Sequence, residues 1–174
     1  MFANVALPPG LLLIVAGLIL PALPVRARQA VLLIAPLLAL AMVWLVPDGP
    51  AVSVAFLGYD LVLCDGDPLS RLFGTVFAII AFGGGLYALN QTNVVELVAA
   101  FVYAGSAFGV VFAGDLITVF IFWELMAIAS TLVVWSAGRQ AAEQILPETP
   151  WFATLFSTHP PVKKRIELLE SMNK

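Results

Sequence analysis

Charge is what this sequence lacks most. Of its 174 residues only 11% are Asp, Glu, Lys or Arg, against about 25% in an ordinary soluble domain. A globule of this composition could not cover itself with ions. A mean hydropathy of +1.02 makes lipid the expected solvent. Cysteine is nearly absent. Cys64 stands alone, which excludes an intrachain disulfide and a Cys-based zinc knuckle, and it reads as a small apolar filler. Histidine occurs once, at His159, and no basic stripe with interleaved aromatics exists, so nucleic-acid binding has no basis.

The few charges are unevenly placed. Residues 1–140 hold four basic and seven acidic side chains, widely spaced, whereas residues 141–174 hold four of each, clustered. That shift divides the chain into a membrane domain over 1–139, a polar linker over 140–150 with Pro147 and Pro150, and a tail over 151–174.

A spanning helix needs roughly 17–25 mostly apolar residues. Five stretches qualify: about 8–24, 30–46, 72–89, 94–112 and 116–135. The first lacks a basic segment ahead of it, with Arg26 and Arg28 after the apolar run, and so reads as an uncleaved membrane helix. Between the second and third, residues 51–70 alternate loosely and carry Asp60, Asp65 and Asp67 around Cys64-Asp65-Gly66-Asp67-Pro68. Asp-Gly between short apolar runs is a strong hairpin signal, and predicts a short extramembrane hairpin turning there. In the tail, Pro160 and Pro161 suit a helix start. Val162, Ile166 and Leu169 then follow at one-face spacing, predicting an amphipathic helix too short to span. The expected fold class is an all-α integral membrane protein: about five transmembrane helices, the hairpin between helices 2 and 3, and a C-terminal amphipathic cytoplasmic helix.

With five spans, Arg26, Arg28 and Arg139 fall on one side, which the positive-inside rule makes the cytoplasm. The hairpin and the N-terminus are then outside, the C-terminus is inside, and Arg71 alone breaks the rule. Gly83-Gly84-Gly85 in the third span and Gly105-x-x-x-Gly109 in the fourth predict close helix packing, with a hinge at the triple glycine as the alternative.

One residue stands out chemically. From Leu116 to Glu124 is eight steps, about 12 Å at 1.5 Å per residue. That places a carboxyl group near the centre of a hydrocarbon layer about 30 Å thick. A carboxylate there costs at least about 2.5 kcal/mol, so it must be protonated, or meet a basic group or water inside protein. Either state makes Glu124 a candidate for proton translocation. Thr118, Ser130 and Thr131 are candidates to line a hydrated path, each weak alone because hydroxyls bond back to their own helix.

The run Gly105 to Gly138, with Asp115-Leu116 and Phe122-Trp123-Glu124-Leu125-Met126, resembles the antiporter-like subunits of respiratory complex I and the D-type subunits of Mrp sodium/proton antiporters. Leu63 to Gly74 is similar to the stretch before their third helix. The resemblance covers about residues 1–139. It implies that Glu124 matches the family's key fifth-helix glutamate, which works beside a lysine on the seventh helix. Since this sequence ends before that helix, a truncated subunit acting with other antiporter or complex I-like membrane subunits is implied, in the cell's inner (plasma) membrane. The tail from Leu155 to Pro161, followed by Lys-Arg-Ile-Glu-Leu-Leu, resembles the end of HtpX-type membrane zinc metallopeptidases. Their zinc site needs a helical His-Glu-x-x-His, which one histidine cannot build. No catalytic residue, metal or cofactor is therefore expected, and the chain reads as non-enzymatic. The alternative is a membrane adaptor, or a nonfunctional fusion fragment, bearing a peptidase-like tail.

Overall fold

The computed structural model describes residues 7–145. Its elements are α1 (Pro9–Ile19), which closes in a 3-10 turn at Leu20–Ala22, α2 (Val25–Leu45), β1 (Gly49–Phe56), β2 (Tyr59–Gly66), α3 (Pro68–Tyr87), α4 (Val94–Val111) and α5 (Leu116–Ile145). The protein is mostly helical. Contacts divide it after Ser136 into two units. The second begins within α5, which continues through residues 140–145 of the segment expected to be linker. The rest of the linker and the amphipathic tail lie outside the described residues.

Four helices, α2 to α5, are long and apolar enough to cross a membrane, the mark of a membrane protein. The first apolar run is shorter, 14 residues over Pro9–Ala22. Proline ends it: Pro21 lies in the 3-10 turn, and Pro24 is the extended residue from which α2 departs. Because α2 starts at Val25 and α3 at Pro68, Arg26, Arg28 and Arg71 occupy first helical turns rather than loops.

The helices pack as two close pairs. In the first, α1 runs antiparallel to α4, with Gly10 against Gly105 and Gly109 and Gly17 against Phe101. A methyl group on Gly105 would lie 2.5 Å from the Gly10 carbonyl oxygen and 2.9 Å from the Ile14 nitrogen. Only glycine permits this backbone approach. In the second, α2 pairs with α3. Pro36 inside α2 has no N–H for the Leu32 carbonyl one turn back. That carbonyl oxygen is what Gly85 of α3 packs against, so a proline on one helix and a glycine on the next make one contact. Leu13, Leu32, Val43, Phe108 and Phe112 fill the shared core, whereas large residues such as Ile79, Ile80 and Phe120 stay more than half exposed. In lipid such faces need no cover.

The hairpin forms as expected between the second and third membrane helices, but its turn is elsewhere. Leu57 and Gly58 both have positive φ (49° and 83°), with Phe56 paired to Tyr59. This is the two-residue connection whose twist matches that of the strands. Asp65-Gly66 instead ends β2, and the aspartate that follows starts α3. Asp67 Oδ1 accepts from the Ser70 N–H (2.5 Å) and Ser70 Oγ accepts from the Asp67 N–H (2.8 Å), a reciprocal capping box with Pro68 at the first helical position. The Ser70 N–H bond, opposed by partial burial, holds the Asp67 carboxyl below the usual carboxylate range.

Candidate functional site

The α4–α5 connection and the hairpin lock together at one end of the first unit. Asp65 N–H donates to Phe112 O (2.7 Å) and Gly114 N–H to Val62 O (3.0 Å). Asp115 completes the latch. Its Oδ2 accepts from the Val62 N–H (2.7 Å) and the Thr118 hydroxyl (2.6 Å), and its Oδ1 accepts from the Thr118 N–H (2.8 Å). The Thr118 hydroxyl bond, with backbone donors and against desolvation, keeps this carboxyl below its ordinary range. Asp115 is thus both the cap of α5 and the anchor of β2. Nearby Cys64 is fully buried, and burial, with Asp65 adding to it, pushes its thiol up to about 11.

At the opposite end lie the α1–α2 and α3–α4 connections. Gln29 Nε2 donates to Leu89 O (3.1 Å), and Asn93, which caps α4 through its Oδ1, donates from Nδ2 to Ser136 Oγ on α5. The hairpin end and the arginine end are therefore separated by the full length of the helices.

Between those ends α5 presents two unlike sides. Thr118, Phe122, Ala129 and Ser136 are buried at helical spacing. Phe122 occupies the space a side chain on Gly109 would need, so the second glycine of the predicted motif receives α5 as the first receives α1. Glu124 is two residues beyond Phe122, about 200° around a helix of 3.6 residues per turn, and is exposed. Phe120, Thr131 and Trp135 share its side, all exposed. Among the described residues nothing donates a hydrogen bond to Glu124 and no cation pairs with it. The ion pair Arg71–Asp48 (2.6 Å) is at the hairpin end.

The remaining hydroxyls have local partners. Thr118 is held by Asp115, and Ser130 and Thr131 both donate to Ala127 O (2.8 and 2.9 Å). Thr131 shares the outward side with Glu124, whereas Thr118 is on the packed side. These residues are not gathered around one another. What the sequence reading missed is Asp115: an Asp followed three residues later by Thr, ahead of an apolar run, is a helix-cap signal that sequence alone carries. No group of three or more His, Cys, Asp or Glu arranged to hold a metal occurs among the described residues. No protein-family model matches the chain, and neither does any curated protein or solved structure.

Proposed function

We propose that this chain is a non-enzymatic membrane subunit that contributes Glu124 to cation or proton translocation within a larger assembly. The observation that carries the reading is the carboxyl of Glu124, near the middle of the apolar stretch Leu116–Ser136 of α5 and turned away from the helices of its own unit. Facing hydrocarbon, an ionised carboxylate is unfavourable by several kcal/mol on the more costly scales. An adjoining helix bearing a basic group or a water-filled cleft removes that penalty and gives the proton somewhere to go. Antiporter or complex I-like membrane subunits are the partners that the resemblance around Trp123-Glu124-Leu125 favours.

In this reading the chain crosses the plasma membrane five times. α1 is short, yet it runs beside α4 from Gly109 to Val98 and so shares most of that helix's depth. Arg26, Arg28 and Arg139 face the cytoplasm, and the hairpin and N-terminus lie outside. Arg71, on the outer side, is neutralised by Asp48 at 2.6 Å and donates to Val46 O (2.8 Å), which removes its force as an exception. The test is ion-coupled proton movement in membrane vesicles from cells carrying the whole assembly. Glu124→Gln, equal in size and never charged, should lower the rate at least tenfold with the assembly intact. An unchanged rate refutes the role.

A further inference from the structure

α3 and α4 meet where Phe77 packs edge to face on Phe108 and part elsewhere. Between them is a cavity of about 600 Å³, walled by Ala81, Gly84 and Gly85 of α3 and by Ala100, Ala104 and Ala107 of α4. It is open space rather than tight packing at Gly84, where an added side chain meets nothing within 4 Å. Phe77 to Ala88 is eleven steps along α3, about 16 Å from the middle of that helix to its end, or roughly half of a hydrocarbon layer about 30 Å thick. Met126 of α5, ten steps from Leu116, lines the mid-membrane end. Along α3 the groove is therefore about one leaflet deep, and on α4 it passes the middle of the helix.

Its other end meets a second cavity of about 300 Å³, with Leu32 and Leu97 common to both. This one has a polar side, formed by Arg28 and Gln29 of α2 and by Asn90, Gln91 and Thr92 before α4, beside Val25 and Leu89. Arg28 Nε donates to Leu20 O (3.1 Å) and Leu23 O (2.9 Å), which fixes the plane of the guanidinium. Neither of its terminal nitrogens is bonded to a described residue, and no described carboxylate pairs with it, in contrast to Arg71. Glu96, which adjoins Leu97 in the chain, accepts from Gln91 Nε2 (3.0 Å) and lines neither cavity.

We infer that the two cavities form a seat for one anionic phospholipid, its phosphate on the terminal nitrogens of Arg28 and one acyl chain in the α3–α4 groove. A fixed guanidinium with two free donors matches a phosphate in charge and geometry. The groove accepts an apolar chain reaching from the headgroup level to the bilayer centre. A partner helix fits less well, because it would run the full membrane depth and offers nothing to Arg28. The inference rests on the membrane placement proposed above and not on any role of Glu124.

The full chain, purified in mild detergent, is mixed with phosphatidylglycerol or phosphatidylcholine of identical acyl chains, and retained lipid is counted by native mass spectrometry. One phosphatidylglycerol should remain per chain, with a preference of about tenfold or more, as expected for charge-assisted bonds to one phosphate. Arg28→Gln should abolish the preference. Gly84→Leu, which places its side chain in open space, should reduce retention of both lipids at least tenfold while helical circular dichroism is unchanged. Equal retention of the two lipids by the parent chain, or retention indifferent to Gly84→Leu, overturns the inference. So does displacement of phosphatidylglycerol by millimolar inorganic phosphate, which would mark a site for the free ion. Glu124→Gln should leave retention unchanged, and release of the chain from membranes at alkaline carbonate would show instead that the membrane placement had failed.

Discussion

The same chemical change, glycine to alanine, should have opposite signs at two positions one helix apart. In a helix interior the added methyl group stabilises by about 0.5–1 kcal/mol through backbone entropy alone. Gly84 should show that gain unopposed, since nothing lies within 4 Å of its new atom. At Gly105 the methyl group would lie 2.5 Å from the Gly10 carbonyl oxygen, 2.7 Å from Ile14 Cγ1 and 2.9 Å from the Ile14 nitrogen. Two of the three neighbours are backbone, so rotating a side chain gives no relief, and α1 must move off α4. Overpacking of this kind costs about 1–3 kcal/mol, with lost contacts along the α1–α4 seam in addition. The net expectation is destabilisation by about 1–2 kcal/mol for Gly105→Ala and stabilisation by about 0.5–1 kcal/mol for Gly84→Ala. Reversible unfolding of the purified chain in mixed micelles, followed by helical circular dichroism against the mole fraction of a denaturing detergent, reads both. Stabilisation by Gly105→Ala would refute the glycine-mediated contact.

Three further outcomes are expected. Native Cys64, buried and with its thiol pushed up to about 11, should resist a membrane-impermeant maleimide in the folded chain. Leu57→Cys at the 82% exposed hairpin tip should react in intact cells; reaction only after permeabilisation reverses the proposed orientation. Asp115 and Asp67 both have carboxyl groups held below their ordinary range. Because their folded values lie below the unfolded ones, their contribution is present in full above the unfolded carboxylate range and is lost as pH falls through the folded values. Unfolding measured from pH 7 to pH 3 should therefore show a falling stability that Asp115→Asn makes shallower, and an unchanged slope tells against the latch. In proteoliposomes of the chain alone, neither protons nor sodium should move above background, because Glu124 faces away from its unit and the hydroxyls of α5 are bonded locally; proton flux abolished by Glu124→Gln defeats that expectation.

The membrane helices were legible because an apolar run of twenty residues has few other uses, and residues 94–112 and 116–135 matched α4 and the membrane part of α5 closely. Ends were harder. The first run reads as a span over about 8–24, and in the structure Pro21 tightens its last turn and Pro24 stops it. Pro24 also serves as the start signal for α2, which draws Arg26 and Arg28 into the helix. The hairpin is visible in the sequence as a polar interruption with alternating residues, but the strongest turn signal there is Asp65-Gly66. That dipeptide adjoins Asp67-Pro68-Leu69-Ser70, a capping box with proline at the first position, and the helix start prevailed over the turn. The actual turn puts a leucine in the left-handed region, for which sequence gives no warning beyond Gly58.

Depth and direction are separate properties of a residue in a membrane helix, and only depth can be counted along the chain. Eight steps from Leu116 give Glu124 an expected depth near the bilayer centre. Its direction depends on which side of α5 meets α4, and hydrophobicity is silent on that point because lipid is as apolar as a protein core. What distinguishes the packed side is size and bonding: Gly109 admits Phe122, Ala129 is small and buried, Thr118 is held by the capping Asp115, and Ser136 reaches Asn93 of the α3–α4 connection. Once Phe122 on Gly109 and Ser136 on Asn93 fix the rotation of α5, Glu124 has only the outward side left. The acid that made this helix look functional is thereby excluded from the interior of its own unit, and any chemistry it performs belongs to whatever adjoins that face.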